Sequence, residues 1–275
     1  MSPAMDPRAV QVTLTTPPRP WRHVEVHDRI GSTNARALQW GMPWAVILAE
    51  HQTQGRGRMR RDWHTPSGLA LTMSASLPLP PGVGWLPLLA GLAVAEAIGA
   101  TAAVQAVLKW PNDVLVPADG DRKVCGILCE AKPAAGTTTS TCAEGLAVVG
   151  VGLNVAQRRA DLPGDAATSL ALCGVDLARE TLAAAVLDAL ADRYAALVAG
   201  GPRAQAARAA YRRSCATIGA AVRLVRPAGP DVLGRAVAVD DEGRLLVQEP
   251  AGTRAWAAGD VTHLRPAAAA ATGLT

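Results

Sequence analysis

Residues Gly55 to Arg61 read GRGRMRR, four arginines and two glycines in seven positions. Glycine lets the backbone approach a ligand closely, and a guanidinium offers a fork of donors matched to carboxylate and phosphate. The stretch follows a short apolar run, Ala45 to Ala49 (AVILA), so it reads as a cationic flap leaving a buried strand. Two more segments share this character. Lys109-Trp110-Pro111-Asn112-Asp113 ends the strand-like VQAVLKW, where Pro111 biases Trp110 away from helix. Lys123-Val124-Cys125-Gly126 opens another strand, with Gly126 marking a bulge or a close backbone approach. Ser32-Thr33-Asn34 precede ARALQW, either as a helix cap or as donors and acceptors lining a polar pocket. Taken singly, each has a plain alternative: a solvated charge run, a surface lysine, a cap, or at Asn154 a turn former.

Taken together, three cation-bearing segments describe a site with several fixed positive groups on a mixed sheet. An acyl-adenylate-forming reaction needs that. A carboxylate must be brought against the α-phosphate of ATP, and the repulsion between the two anions must be offset. Charge then moves to the leaving pyrophosphate, which Mg²⁺ and arginines would stabilise. No covalent enzyme intermediate is required, in keeping with the lack of a nucleophile–base motif. Neither G-x-x-x-x-G-K-[ST] nor G-x-G-x-x-G occurs, which disfavours P-loop and dinucleotide-binding folds.

The elements that must hold these residues follow from periodicity. Strands are expected at Trp21–Val26, Ala45–Ala49, Gly68–Leu77, Val104–Trp110, Val114–Val116, Lys123–Glu130 and Gly145–Val155. Helices are expected at Ala35–Trp40, Trp85–Gly99, from a cap at Asp176 to about Val198, and at Pro202–Ser214. A polar hairpin is expected at 133–141. From Gly219 short alternating runs (VRLV, VLGRAVAV, RLLVQ, TRAWAA, DVTHL) predict a small SH3-like barrel. The expected organisation is a mobile arm over 1–20, a catalytic domain over 21–216, the barrel over 217–266 and a disordered tail over 267–275.

Length and composition suit this plan. The 275 residues allow one large domain and a small one, and a chain 49% hydrophobic and 18% charged is globular rather than disordered. The net charge of +4 is too mild for coating nucleic acid and leaves room for one local anion site. The five cysteines have no disulfide or zinc spacing, as expected of reduced thiols in the cytoplasm. No metal site is read from the sequence. The N-terminus shows no apolar signal region, and the apolar stretch Trp85–Ala103 reads as a core helix rather than a membrane span.

GSTN, AEHQTQGRGR…W, KWPNDVL, KVCGILCE and VGVGLNV stand in the order and spacing of biotin protein ligases, and the chain resembles that family from about Trp21 to Pro266. The resemblance implies a mixed α/β catalytic domain like that of class II aminoacyl-tRNA synthetases, followed by an SH3-like domain. It implies activation of biotin by ATP and Mg²⁺ to biotinyl-5′-adenylate, then transfer to a lysine of a biotin carboxyl carrier domain in an acyl-CoA or pyruvate carboxylase. By matched position, Ser32, Thr33, Asn34 and Gln52 contact the biotin ring system. Gly55, Arg56, Gly57 and Arg58 form the loop that closes over it, and Gly126 lets the ligand lie against its strand. Lys123 binds the biotin carboxylate and the α-phosphate, with Arg58 and Lys109 as further catalytic cations. Arg61, Trp63, Asn112, Asp113 and Asn154 border the nucleotide. The chain looks like the short form without a DNA-binding domain, a monomer or weak homodimer with no DNA or membrane partner.

One departure stands out. The family loop reads GRGRxGRxW, and here Arg60 occupies the second half's usual glycine. Arginine reaches positive φ at a cost of about 1–2 kcal/mol, so either position 60 is not left-handed or the loop orders differently. Two rival functions are weighed against biotin ligation. A lipoate ligase or octanoyl transferase would want a plain apolar tunnel, against which Ser32, Thr33, Asn34 and Gln52 speak. A nucleic-acid binder would want aromatics among its basic residues, but the loop has only Trp63 nearby and the barrel is acidic.

Overall fold

The structure is a computed structural model that describes residues 4–64, 66–133, 145–226 and 229–264. The expected hairpin beyond Pro133 and the expected tail lie outside the described residues. In chain order the larger unit contains α1 (Pro7–Thr15), β1 (His23–Ile30), α2 (Thr33–Trp40), β2 (Ala45–Gln52), β3 (Ala70–Pro78), α3 (Leu86–Ala102), β4 (Val107–Lys109), β5 (Asp113–Val116), β6 (Arg122–Pro133), β7 (Gly145–Asn154), α4 (Arg179–Ala199) and α5 (Gly201–Ser214). The strands form one sheet in the order β1-β2-β3-β7-β6-β5-β4. Among the described strands of this sheet, β1 and β2 run parallel and the remaining pairs are antiparallel. The sheet is therefore mixed, as expected.

Side chains alternate across a strand, and the two faces of β7 divide the labour. Val149, Val151 and Leu153 enter the main core with Leu71 and Met73 of β3 and with α3 and α4. The opposite face carries Leu146 and Val148, packed with Ala37 of α2, then Gly150, Gly152 and Asn154. Register aligns the small residues in rows. Thr72, Gly152, Gly126 and Asp113 lie side by side across β3, β7, β6 and β5, and Ser74, Gly150 and Leu128 form the next row. This leaves an open floor beside the start of α2.

Helix α3 is apolar all round, the mark of a buried helix. Together with the turn before it, from Val83 to Ala102, it has the length and hydropathy to cross a membrane, but it packs among β4–β6, α4 and α5.

Of the described residues before β1, where the prolines suggested a mobile arm, 7–15 form a helix packed on the core. Asp6 caps α1 by accepting from the Arg8 N–H, with Pro7 in the favourable first position. Met5, Val10 and Leu14 are buried. Glu50 of β2 accepts from the Met5 N–H at 2.7 Å and forms a buried ion pair of 2.6 Å with Arg179. That pair also fixes the start of α4. Ala178, not Asp176, occupies the N-cap, and no side chain caps it.

The smaller unit contains β8 (Ala221–Val225), β9 (Val232–Val239), β10 (Leu245–Glu249), β11 (Gly252–Trp256) and β12 (Asp260–His263), antiparallel in the order β11-β10-β9-β8-β12. This agrees with the expected SH3-like barrel. The linker between the units covers the exposed edge of β4, where Ala216 N–H donates to the Leu108 carbonyl and Trp110 N–H to Thr217 Oγ1. Two buried indoles complete the seam, Trp85 donating to the Asp241 carbonyl at 2.7 Å and Trp110 to the Gly243 carbonyl at 3.1 Å.

Candidate active site

A cavity of about 390 Å³ lies over the small-residue rows, within the size range of small-molecule sites. Thirteen expected site residues line it: Ser32, Thr33, Asn34, Gln52, Arg56, Gly57, Arg58, Arg61, Trp63, Asn112, Lys123, Gly126 and Asn154. Gly55, Lys109 and Asp113 do not line it. They stand behind it, each for a physical reason.

Gly55 is at the neck of the basic loop. Trp63 N–H donates to its carbonyl at 2.9 Å, and a Cβ there would sit 2.3 Å from the Trp63 carbonyl oxygen. Only glycine lets the two ends of the loop meet so closely. Asp113 is held between two lysines, 2.5 Å from Lys123 Nζ and 3.9 Å from Lys109 Nζ. The three form a line of alternating charge with Lys123 at the cavity end. Burial pushes the Lys109 ammonium below its ordinary pKa, and the Lys123 charge pushes the same way, against the pull of Asp113.

At the opposite end the groups are neutral. Gln52 Oε1 accepts from the Thr33 N–H at 2.8 Å and lies 3.0 Å from Thr33 Oγ1. Ser74 Oγ lies 2.6 Å from Asn34 Oδ1 and 2.7 Å from Thr33 Oγ1. An amide oxygen only accepts, so the single Ser74 proton belongs to Asn34. The Thr33 hydroxyl donates its own proton to Gln52 Oε1, which can only accept, and keeps lone-pair capacity towards the cavity. Asn34 is different. Its Nδ2 donates to the Leu128 carbonyl and to Glu130 Oε2, and its Oδ1 accepts from Ser74. With both donors used, Asn34 lines the cavity as a fixed part of its wall. A Cβ on Gly150 would strike Asn34 Oδ1 at 2.3 Å, so the wall's position depends on glycine there.

The basic loop lies across this cavity. Arg56 reaches Glu130 at 3.5 Å, Arg58 donates to the Gly259 carbonyl at 3.2 Å, and Arg61 pairs with Asp260. The lid is thus pinned to β6 on one side and to the smaller unit on the other. Burial pushes the Arg58 guanidinium downward, while Asp260 and Asp113 act in the opposite sense. The loop's left-handed residue is Met59 (φ 53°, ψ 36°), not Arg60. Trp63 lies flat over the floor, where a Cβ on Gly152 would fall 2.4 Å from its ring and Lys123 Nζ is 5.6 Å from the ring centroid. Gly126 leaves room for Lys123 and Trp63 alike, since a Cβ there would meet Lys123 Nζ at 3.0 Å.

Beyond Trp63, residues 166–168 are zipped to Lys123. Its N–H donates to the Ala166 carbonyl, and its carbonyl accepts from Thr168 N–H, both at 2.8 Å. Asn112 is clamped to Ile127 by reciprocal bonds of 2.9 Å. Cys125 and Cys129 are pushed up by burial, Cys129 to about 12, which leaves them inert thiols. Sequence reasoning missed Glu130, Ser74, Gly150 and Gly152. The i, i+2, i+4 spacing of Gly126, Leu128 and Glu130, and of Gly150, Gly152 and Asn154, was the available signal. Among the described residues no group of three or more His, Cys, Asp or Glu could hold a metal ion.

Residues 26–151 match the biotin/lipoate A/B protein ligase family, and residues 217–264 match the biotin protein ligase C-terminal domain. The chain is 36% identical to the biotin–[acetyl-CoA-carboxylase] ligase of Mycobacterium tuberculosis, over 96% of this chain and 98% of that one. It is 30% identical to the bifunctional ligase/repressor BirA of Bacillus subtilis, covering 87% of this chain and 74% of that one. The biotin protein ligase of Aquifex aeolicus, solved with biotin and ATP, superposes with a TM-score of 0.74 at 26% identity, over 90% of this chain and all of that one. Fold and site define an acid-activating ligase on a mixed sheet with an appended barrel. Within that class, the chain belongs to the biotin protein ligase family.

Proposed function

We propose that this protein activates biotin with ATP and passes the biotinyl group to a lysine of a biotin carboxyl carrier domain, in an acyl-CoA or pyruvate carboxylase. The observation that carries this reading is the polarity of the cavity. One end is a neutral hydrogen-bonding wall of Thr33 and Gln52, backed by Ser74, suited to a ureido group. The other is cationic, with Lys123, Arg58 and Arg61.

In the first step a biotin carboxylate oxygen attacks the α-phosphorus. The new O–P bond forms as the bond to the β-phosphate oxygen breaks, and pyrophosphate leaves with the electron pair. Lys123 stands where the two anions meet, and Asp113 behind it keeps its ammonium aimed at the junction. Arg58, already desolvated, stabilises charge as it develops, where low dielectric makes a fixed cation effective. In the second step the neutral acceptor amine attacks the acyl carbon, AMP departs with the C–O electron pair, and the amine's proton passes to the departing phosphate or to water. Lys109 stands behind Asp113 and adds positive charge to the same site. Magnesium, brought as MgATP, would supply positive charge to the departing pyrophosphate, while Asp113 is engaged by two lysines. We further propose a cytoplasmic monomer or weak homodimer with no DNA partner.

Biotin-dependent ATP–pyrophosphate exchange tests the reading, with lipoate and octanoate as controls. Exchange is expected with biotin alone, and folded protein with MgATP that exchanges with none of the three acids overturns it. Lys123→Ala should lower exchange by about a hundredfold or more with an unchanged unfolding midpoint. A variant that exchanges at the parent rate removes Lys123 from the chemistry.

A further inference from the structure

Gln157 lies outside the cavity wall, just past β7, and is 1% exposed. Its Nε2 donates to Asn154 Oδ1 at 2.9 Å. Asn154 Nδ2 in turn donates to the Thr168 carbonyl at 2.8 Å. The Ser169 hydroxyl donates to the Gln157 carbonyl at 2.6 Å and locks that residue's backbone.

The amide orientations follow from chemistry. A carbonyl oxygen only accepts, so the nitrogen of Asn154 must face Thr168 and its oxygen must face Gln157. Only a donor can meet that oxygen, so Gln157 presents its nitrogen. The cost falls on Gln157 itself, whose Oε1 is buried with no hydrogen-bond partner among the described residues. A buried acceptor left unpaired is unfavourable, and here it accompanies one fixed orientation of Asn154. Each Asn154 group keeps spare capacity, a second N–H and a second lone pair, and the residue lines the cavity. Together they make an adjacent donor and acceptor. That pair matches the amine and ring nitrogen on an adenine edge, and it sets oxygen against oxygen for a 6-oxopurine.

We propose that Gln157 is a positioning residue for base selection. By completing, with the Thr168 carbonyl, the clamp on the Asn154 amide, it makes the site prefer a 6-aminopurine nucleotide over a 6-oxopurine one. The inference rests on the ATP-dependent reading above.

Biotin-dependent pyrophosphate exchange with ATP and with ITP, which differ at the 6-position, provides the test. The wild type should prefer ATP in kcat/KM by about tenfold or more. Gln157→Met, of similar shape but with no donor, should cut that preference to a few-fold, by lowering ATP use and raising ITP use. Gln157→Glu should do the same without changing length. Biotin affinity in the absence of nucleotide reports on folding and should stay near the parent value. A merely structural role would slow both nucleotides in proportion. The inference is overturned by a wild type that uses ITP within threefold of ATP, or by an unchanged ATP:ITP ratio in either variant that still binds biotin. Absence of any biotin-dependent exchange by the wild type is a separate outcome, which sinks the ligase reading and this inference with it.

Discussion

Met59 holds a left-handed backbone inside the basic loop, a conformation that costs an L-residue about 1–2 kcal/mol. Glycine at 59 would relieve that cost in the closed lid, partly offset by its greater freedom when the lid is open. Met59→Gly should therefore slow release of bound biotinyl-adenylate by up to about fivefold, the equivalent of roughly 1 kcal/mol. Arg60→Gly should not slow it, because position 60 has no positive φ to relieve. Single-turnover release rates decide, and a slower release from Arg60→Gly than from Met59→Gly would contradict the geometry. At this scale much of the site was legible in the sequence. Lys123, Arg58 and Gly126 declared themselves through charge, glycine and spacing, and Trp63 through the family resemblance. Ser74, Glu130 and Gln157 did not. Their meaning comes from partners in other segments, as Ser74 meets Asn34 40 positions away, and register across strands is not written in any one strand.

The strands were readable as elements because their apolar runs are long and bounded by Pro, Gly and Asp. Helix α1 was not, since five prolines masked a stripe as short as Met5, Val10 and Leu14. The contact between β4, β12 and the linker was equally hidden. Thr217 Oγ1 accepts from Trp110 N–H and lies 3.0 Å from His263 Nε2, a nitrogen that in a neutral imidazole can accept the hydroxyl proton. Burial, and next the Lys109 charge, depress the His263 pKa, against the opposing effect of Asp121. The folded state thus resists protonation that the unfolded chain accepts near its ordinary value of about 6.5. Stability from this group is present above that pH and is lost as pH falls through the lower folded value. The urea midpoint of the wild type should drop between pH 7.5 and pH 5.5 more than that of His263→Gln, whose amide oxygen can still accept from Thr217. Equal drops would show that His263 does not carry the effect.

At the scale of the molecule, the seam decides whether there are one or two folding units. The linker pairs with β4, and the close approach of Gly84 and Gly243 leaves no room for a Cβ at either position, at 2.4 Å from the Glu242 oxygen and 2.7 Å from the Gly84 oxygen respectively. Units joined so closely should unfold together, as single cooperative bodies do. Far-ultraviolet dichroism and tryptophan fluorescence should trace one coincident urea transition, and two resolved transitions would show that the units are independent. A chain ending at Ser214 would expose the β4 edge, an invitation to aggregation, and should not accumulate as soluble protein.

Trp85 and Trp110 give the seam a further property. Both indoles are buried, each donates to the turn around residues 241–243, and Arg208 and Arg212 lie within 5.5 Å of the Trp85 ring centre. The chain has no phenylalanine and only two tyrosines, so its ultraviolet signal is almost wholly indole. Any event that parts the two units, from acceptor docking to a change of acidity, would let water reach these rings and shift their emission to longer wavelength. The protein carries its own optical gauge across the joint, with no dye attached.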